Sequence, residues 1–179
     1  MSTCDCCGCL LVDDYGTTTV AGTGTQEDPY SVTRIDPAFI RPAVRVTRAS
    51  TLATVNNTPI TVPFTAEVFD TDTMWIGGNP NYITLQKAGV FSFGFSWIWP
   101  SNTTGLRYGW IVYEPIAAPA IELIDEIVQT TTGDFRRQLN YQWYFQIGDK
   151  IRLDVAQSSG GALNLTSAIG WAVYHGRKV

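Results

Sequence analysis

The stretch VFSFGFSWIW, residues 90–99, decides the fold. Phe91, Phe93, Phe95, Trp97 and Trp99 fall on one side of an extended chain, and Ser92, Gly94 and Ser96 on the other. A period of two with such bulk on one side specifies a half-buried β-strand. FRRQLNYQWYFQI, residues 135–147, repeats the pattern: Phe135, Leu139, Tyr141, Trp143, Phe145 and Ile147 alternate with Arg136, Gln138, Asn140, Gln142 and Gln146. Both read as long antiparallel strands with one face on a core.

The same alternation runs through VRVTR (44–48), YITLQ (82–86), LRYGWIVYE (106–114), IELIDEIVQ (121–129), KIRLDVAQ (150–157) and AIGWAVYH (168–175). GGNPN, KAG, SNTTG, TTGD, IGD and SSGG separate them as turn signals. IELIDEIVQ also fits a helix, with Ile121, Ile124 and Val128 on one face, but its length and β-branching favour a strand. Eight or more strands within about 135 residues predict an all-β antiparallel sandwich or jelly roll.

Residues 1–43 have a different grammar, rich in Gly, Thr, Asp and Pro and without a sustained period. TTTVAGTGTQEDPYSV reads as short extended pieces and IDPAFIRPAV as a Pro-punctuated linker, so an N-terminal arm (1–43) is expected ahead of the jelly roll (44–179). The arm is electrically lopsided. Asp5, Asp13, Asp14, Glu27 and Asp28 precede residue 34 without a Lys or Arg; Arg34, Arg41, Arg45 and Arg48 then follow against Asp36 alone. Such asymmetry marks either a segment that docks on a partner, with Asp13, Asp14 and these arginines as contacts, or a solvated arm.

The 179 residues carry a net charge of −4, which disfavours a nucleic-acid partner. Only 16% are charged, against roughly 25% in an average soluble domain, while six Trp, eight Tyr and eight Phe are present. That profile suits a sandwich or an assembly subunit that hides surface. No apolar run reaches the roughly 18 residues of a membrane span. The start lacks the basic and apolar regions of a secretory signal, which predicts synthesis in a cytoplasm and sequons at Asn56, Asn102 and Asn164 that serve as turns.

Catalytic constellations are sparse. The single histidine, His175, shares the parity of Ile169, Trp171 and Val173, which places it at the end of a core strand. AGTGT lacks the Lys of a phosphate loop. Asp70 and Asp72 offer a D-x-D pair, far short of the roughly 6–8 oxygens of a calcium site, and Asx-turn capping is the simpler reading. No acid/base pair for glycan cleavage by Asp70, Asp72 or Glu114 follows from spacing. The expectation is a protein that is not an enzyme and has no cofactor.

Several segments together resemble the jelly roll shared by tumour necrosis factor and the globular heads of complement-type proteins. VPFTAEVFDTDTMW (62–75) followed by YITLQKAGVFSFGFSWIW (82–99) is similar to that family's paired strand turning at a Gly into an aromatic strand. LNYQWYFQIGDKIRLDVAQSSGGALNL (139–165) resembles its hydrophobic strand, xxGD, x-I-x-L-x-V unit, and SAIGWAVYHG (167–176) its final strand. The same pattern recurs in small domains on virions of tailed bacteriophages, and VAGTGTQEDPYSV (20–32) resembles a stretch common near the start of phage tail and tail-associated proteins.

The resemblance implies a homotrimer. Ile98 and the interface candidates Trp110, Tyr113, Tyr144 and Tyr174 supply a second set of large residues, for interface burial or for capping a solvent face. It further implies a virion protein whose arm docks on other virion proteins. Its place is a tail tip, baseplate or short fibre touching the host surface; a capsid decoration protein is the alternative. Trp75, Tyr82, Trp99 and Tyr108 are candidates to stack on a host-surface glycan, against core packing.

All four cysteines, Cys4, Cys6, Cys7 and Cys9, lie in CDCCGC. The spacing strains a tetrahedral zinc site and an internal disulfide alike. Three arms meeting on an axis would relax that geometry for a shared metal or interchain cross-links; small hydrophobes docked on a partner, or a disordered tail, are the other readings.

Overall fold

The computed structural model describes residues 10–13, 16–21, 25, 31–33, 41–129 and 133–176. The chain divides into two units after Arg41. In the first, β1 (Leu10–Asp13), β2 (Gly16–Ala21) and β3 (Ser31–Thr33) form an antiparallel sheet in that order.

The second unit is a two-layer sandwich. Its strands are β4 (Ala43–Arg48), β5 (Ile60–Thr61), β6 (Ala66–Asp70), β7 (Ile83–Thr84), β8 (Gly89–Trp99), β9 (Leu106–Glu114), β10 (Ile121–Gln129), β11 (Phe135–Phe145), β12 (Lys150–Gln157) and β13 (Ser167–Gly176). One sheet runs β10-β9-β12-β5, with β7 also on β12; the other runs β11-β8-β13-β4-β6. From β8 onward the chain crosses between sheets at every step except the β9–β10 hairpin, so both layers fold together. No helix occurs among the described residues, and IELIDEIVQ is strand β10.

The core is the stripe of β8. Phe91, Phe93, Phe95, Trp97 and Trp99 are at most 2% exposed, each contributing about 1.5–3 kcal/mol by burial. Phe145 stands edge-on to Phe93 at 5.3 Å and to Phe91 at 6.0 Å, while Phe64 stacks on Phe95 at 5.9 Å. Across the gap, Ile111, Ile151, Leu153 and Val155 are fully buried. Trp97 needs an empty place opposite it: a Cβ on Gly109 would overlap its indole.

β11 departs from the expected alternation. Leu139 and Phe145 are buried, but Trp143 is 43% exposed because β11 is an edge strand, and Ile147 is 62% exposed because it lies in the turn beyond it. Of the sequons, Asn102 serves a turn, its Oδ1 accepting from the Thr104 N–H, while Asn56 Oδ1 accepts from the Gly160 N–H and so joins two distant loops.

Candidate functional site

β13 sets the chemistry of one outer face. Its inward side chains are small, Ala168, Gly170 and Ala172, because Phe64 and Phe95 already fill the gap; a Cβ on Gly170 would come within 2.7 Å of Phe95 and 2.9 Å of Phe64. The large residues Ile169, Trp171 and Val173 therefore point away from the core. His175 goes with them, which corrects the expectation of a core position: it is exposed, with Nε2 2.7 Å from Ser92 Oγ.

Register builds a row across this face: Asn140, Gly94, Trp171, Arg45 and Phe69 stand opposite one another on β11, β8, β13, β4 and β6. Gly94 is required there, because a Cβ would overlap Asn140 Oδ1 and come within 3.0 Å of Trp171 Cζ2. The indole thus covers the bare backbone of β8. Beside it lies a trough of about 450 Å³, lined among others by Arg45, Phe69, Arg136, Gln138, Ile169 and Trp171, with no acidic residue among the described residues that line it. Arg45 and Arg136 are exposed, and neither makes an ion pair among the described residues.

The opposite outer face is tied together by charge. Arg152 pairs with Glu114 and donates from Nε to Asp154 Oδ1 at 3.0 Å and Oδ2 at 3.1 Å; the Thr61 hydroxyl donates to the same Oδ1 at 2.7 Å. Lys150 and Arg152 lie 5.3 and 5.9 Å from the centre of the Tyr82 ring, a cation–π arrangement. Tyr108 and Trp110 stack on each other at 5.8 Å.

Two buried charges close opposite ends of the sandwich. Asp149, 1% exposed, accepts from Tyr113 Oη at 2.7 Å and from the N–H groups of Ile116 and Gln146, tying two turns. Burial first, then the Asp149 hydrogen bond and charge, push the Tyr113 phenol up to about 12. Arg107, 3% exposed, donates to the carbonyls of Asn102, Thr104 and Leu106. Burial lowers its pKa.

The residues singled out from sequence are scattered by this arrangement. Of the interface candidates, Tyr144 is 39% exposed on the trough sheet, on the side away from the core, and Trp110 is on the opposite face. Tyr113 and Tyr174 are corrected to inward positions. The first packs on Phe145; the second packs on Phe91 and donates to the Ala88 carbonyl. Trp99, at 0% exposure, is a core residue and cannot meet a glycan. Trp75 is part-buried, its Nε1 directed at the Pro80 carbonyl at 3.4 Å; Tyr82 and Tyr108 sit on the charged face.

Asp70 caps its own turn, accepting from the Asp72 and Trp75 N–H groups at 3.0 and 2.7 Å. Arg45 and Arg48 belong to β4 of the sandwich and not to a preceding arm, and Arg48 is engaged with the carbonyls of Pro63 and Thr51. Cys4, Cys6, Cys7, Cys9, Asp14 and Arg34 lie outside the described residues, as does the side chain of Asp13. Arg41 is the last residue of the first unit. Sequence reasoning missed Trp171, Arg45 with Arg136, and Phe69 as one surface; the small inward set Ala168, Gly170 and Ala172 opposite an aromatic stripe is the signal that finds it.

No protein-family model and no curated protein matches the chain. Solved structures do. The globular domain of zebrafish complement 1qA superposes with a TM-score of 0.59 at 17% identity, covering 76% of this chain and 99% of that one. Eiger tumour necrosis factor from S. frugiperda gives 0.59 at 8% identity, covering 78% and 95%; murine APRIL gives 0.56 at 9% identity, covering 75% and 99%. The fold is the jelly roll of the tumour necrosis factor and complement-head type, as the sequence motifs implied.

Proposed function

We propose that this chain is a non-enzymatic structural protein that assembles as a homotrimer through the trough-bearing face, and that it serves on a bacteriophage virion. The single observation that carries the assembly reading is that face itself: an outward, half-buried Trp171 flanked by half-buried Ile169 and Val173, with Phe69 at 43% exposure and no acid among the described residues lining the trough. A half-buried outward indole beside an exposed phenyl ring on one outer face is the composition of an interface core. The charged opposite face suits solvent.

The virion role rests on the sequence resemblances, above all VAGTGTQEDPYSV ahead of the jelly roll. In this reading residues 1–41 dock on the particle and the jelly roll points outward at a tail tip, baseplate or short fibre. Three copies on one axis turn weak contacts with a host-surface glycan into avidity.

Sedimentation velocity of the full chain tests the assembly, with a trimer expected; a monomer at every concentration removes the reading. Antibody labelling of intact virions tests the location. Label at the tail end supports host contact, label spread over the head makes the protein a shell decoration, and unlabelled particles sink the virion role.

A further inference from the structure

The trough presents a problem that its burial would sharpen. Among the described residues, Arg45 and Arg136 are the only charged side chains lining it, both cationic, and they reach it from opposite sides: Arg45 from β4 and Arg136 from β11, with β13 and β8 between. Elsewhere on the sandwich, guanidinium groups are matched. Arg152 has Glu114 and Asp154, Arg48 has two carbonyls, and Arg107 has three. Arg45 and Arg136 have no counterpart among the described residues. Removing an unmatched guanidinium from water is among the costliest steps an interface can contain.

We infer that the trough is an oxyanion site, with Arg45 and Arg136 supplying its positive charge for a phosphate-, sulfate- or carboxylate-type group, and that self-association over this face is linked to its occupancy. The inference rests on the proposed self-interface.

The chemistry fits an oxyanion better than a bare halide. A guanidinium is a planar fork of donors that matches two oxygens of one anion, and Ser96 adds a hydroxyl to the same lining. Trp171, Ile169 and Phe69 supply apolar walls that raise the strength of such contacts once water is excluded. Linkage makes the effect reciprocal: an anion that binds the assembled face better than the free one tightens assembly by the same factor.

The test is sedimentation velocity of the full chain at constant ionic strength, with inorganic phosphate replacing chloride stepwise. Assembly should tighten by about tenfold or more with phosphate. The double variant Arg45→Gln with Arg136→Gln should assemble without phosphate and ignore its addition. Its urea midpoint, matching the parent, shows that it folds. A parent trimer that is indifferent to phosphate overturns the anion site and leaves the self-interface standing. So does a double variant that assembles less well than the phosphate-free parent, because the arginines would then be paired with a neighbour's carboxylate such as Glu67. A chain that is monomeric at every phosphate concentration overturns the self-interface, and this inference with it.

Discussion

On one side of the sandwich Arg152 is held between Glu114 and Asp154, with Thr61 completing the carboxylate; on the other, Arg45 and Arg136 stand beside Trp171 with no acid among the described residues that line the trough. Both faces come from the same alternation of a β-strand, and the core between them is continuous. The difference teaches where a fold is finished and where it is left open. A face whose charges already satisfy one another gains little from a partner, whereas one with a half-buried outward indole, an exposed Phe69 and cations unmatched among the described residues gains most from what covers it.

The comparison breaks most readily at Trp171. Replacing it with Ala should weaken self-association by at least about 30-fold, as expected for a central aromatic anchor worth about 2 kcal/mol or more; sedimentation equilibrium reads this. Trp110→Ala, the matched change on the charged face, should leave assembly unchanged. Dissociation by the second variant and not the first would reverse the assignment of the faces.

Glycines on either side of the sheets sharpen it. Gly94→Ala and Gly109→Ala should each cost about 1–3 kcal/mol in urea unfolding through overpacking, because the new Cβ meets Trp171 and Asn140 in one case and Trp97 in the other. Only Gly94→Ala should also loosen assembly, since only it displaces the indole of the open face.

A perturbation belonging to neither face supplies the control. Tyr113→Phe removes the phenol that donates to Asp149 and should lower stability by about 1–2 kcal/mol without altering assembly. In the parent, the phenol's folded value of about 12 lies above its ordinary 10, so stability is complete below pH 10 and is lost as pH rises toward 12. Denaturant midpoints across that range should fall for the parent beyond any fall seen in Tyr113→Phe. Identical alkaline profiles would remove the Tyr113–Asp149 account.

The smallest effect belongs to the charged face. Glu114→Gln leaves Arg152 with Asp154, so a loss under about 1 kcal/mol is expected in thermal unfolding. Assembly should be unaffected.

The jelly roll and its eight strands β4 and β7–β13 were legible because β8 declares its faces, five aromatic rings against Ser, Gly and Ser; the short β5 and β6 and the β1–β3 sheet carry no such alternation and were not read as strands. β13 declares two faces without saying which is inside. Bulk on Ile169, Trp171 and Val173 suggests the core, yet space in a sandwich is shared across the gap. Where Phe64 and Phe95 have filled it, the facing strand must present Ala and Gly. That single inversion moved His175 outward and Tyr174 inward and hid the trough. Tyr113 was misplaced for a related reason: its hydroxyl finds a buried carboxylate 36 residues away, a pairing that no local pattern encodes. Asp70, by contrast, bonds within five residues, and its turn could be read directly.

β4 has a mechanical consequence. The sandwich begins at Pro42, and the chain is already clamped on both sides as it enters this strand, the Pro42 carbonyl by the Tyr174 N–H of β13 and the Ala43 carbonyl by the Thr71 N–H that follows β6. Tension applied through residue 41 along the strand therefore loads two ladders in shear at once, so that many bonds must yield together instead of opening one after another like a zip. Such a strand makes a strong towing point for a domain tethered by its N-terminal side to something much heavier.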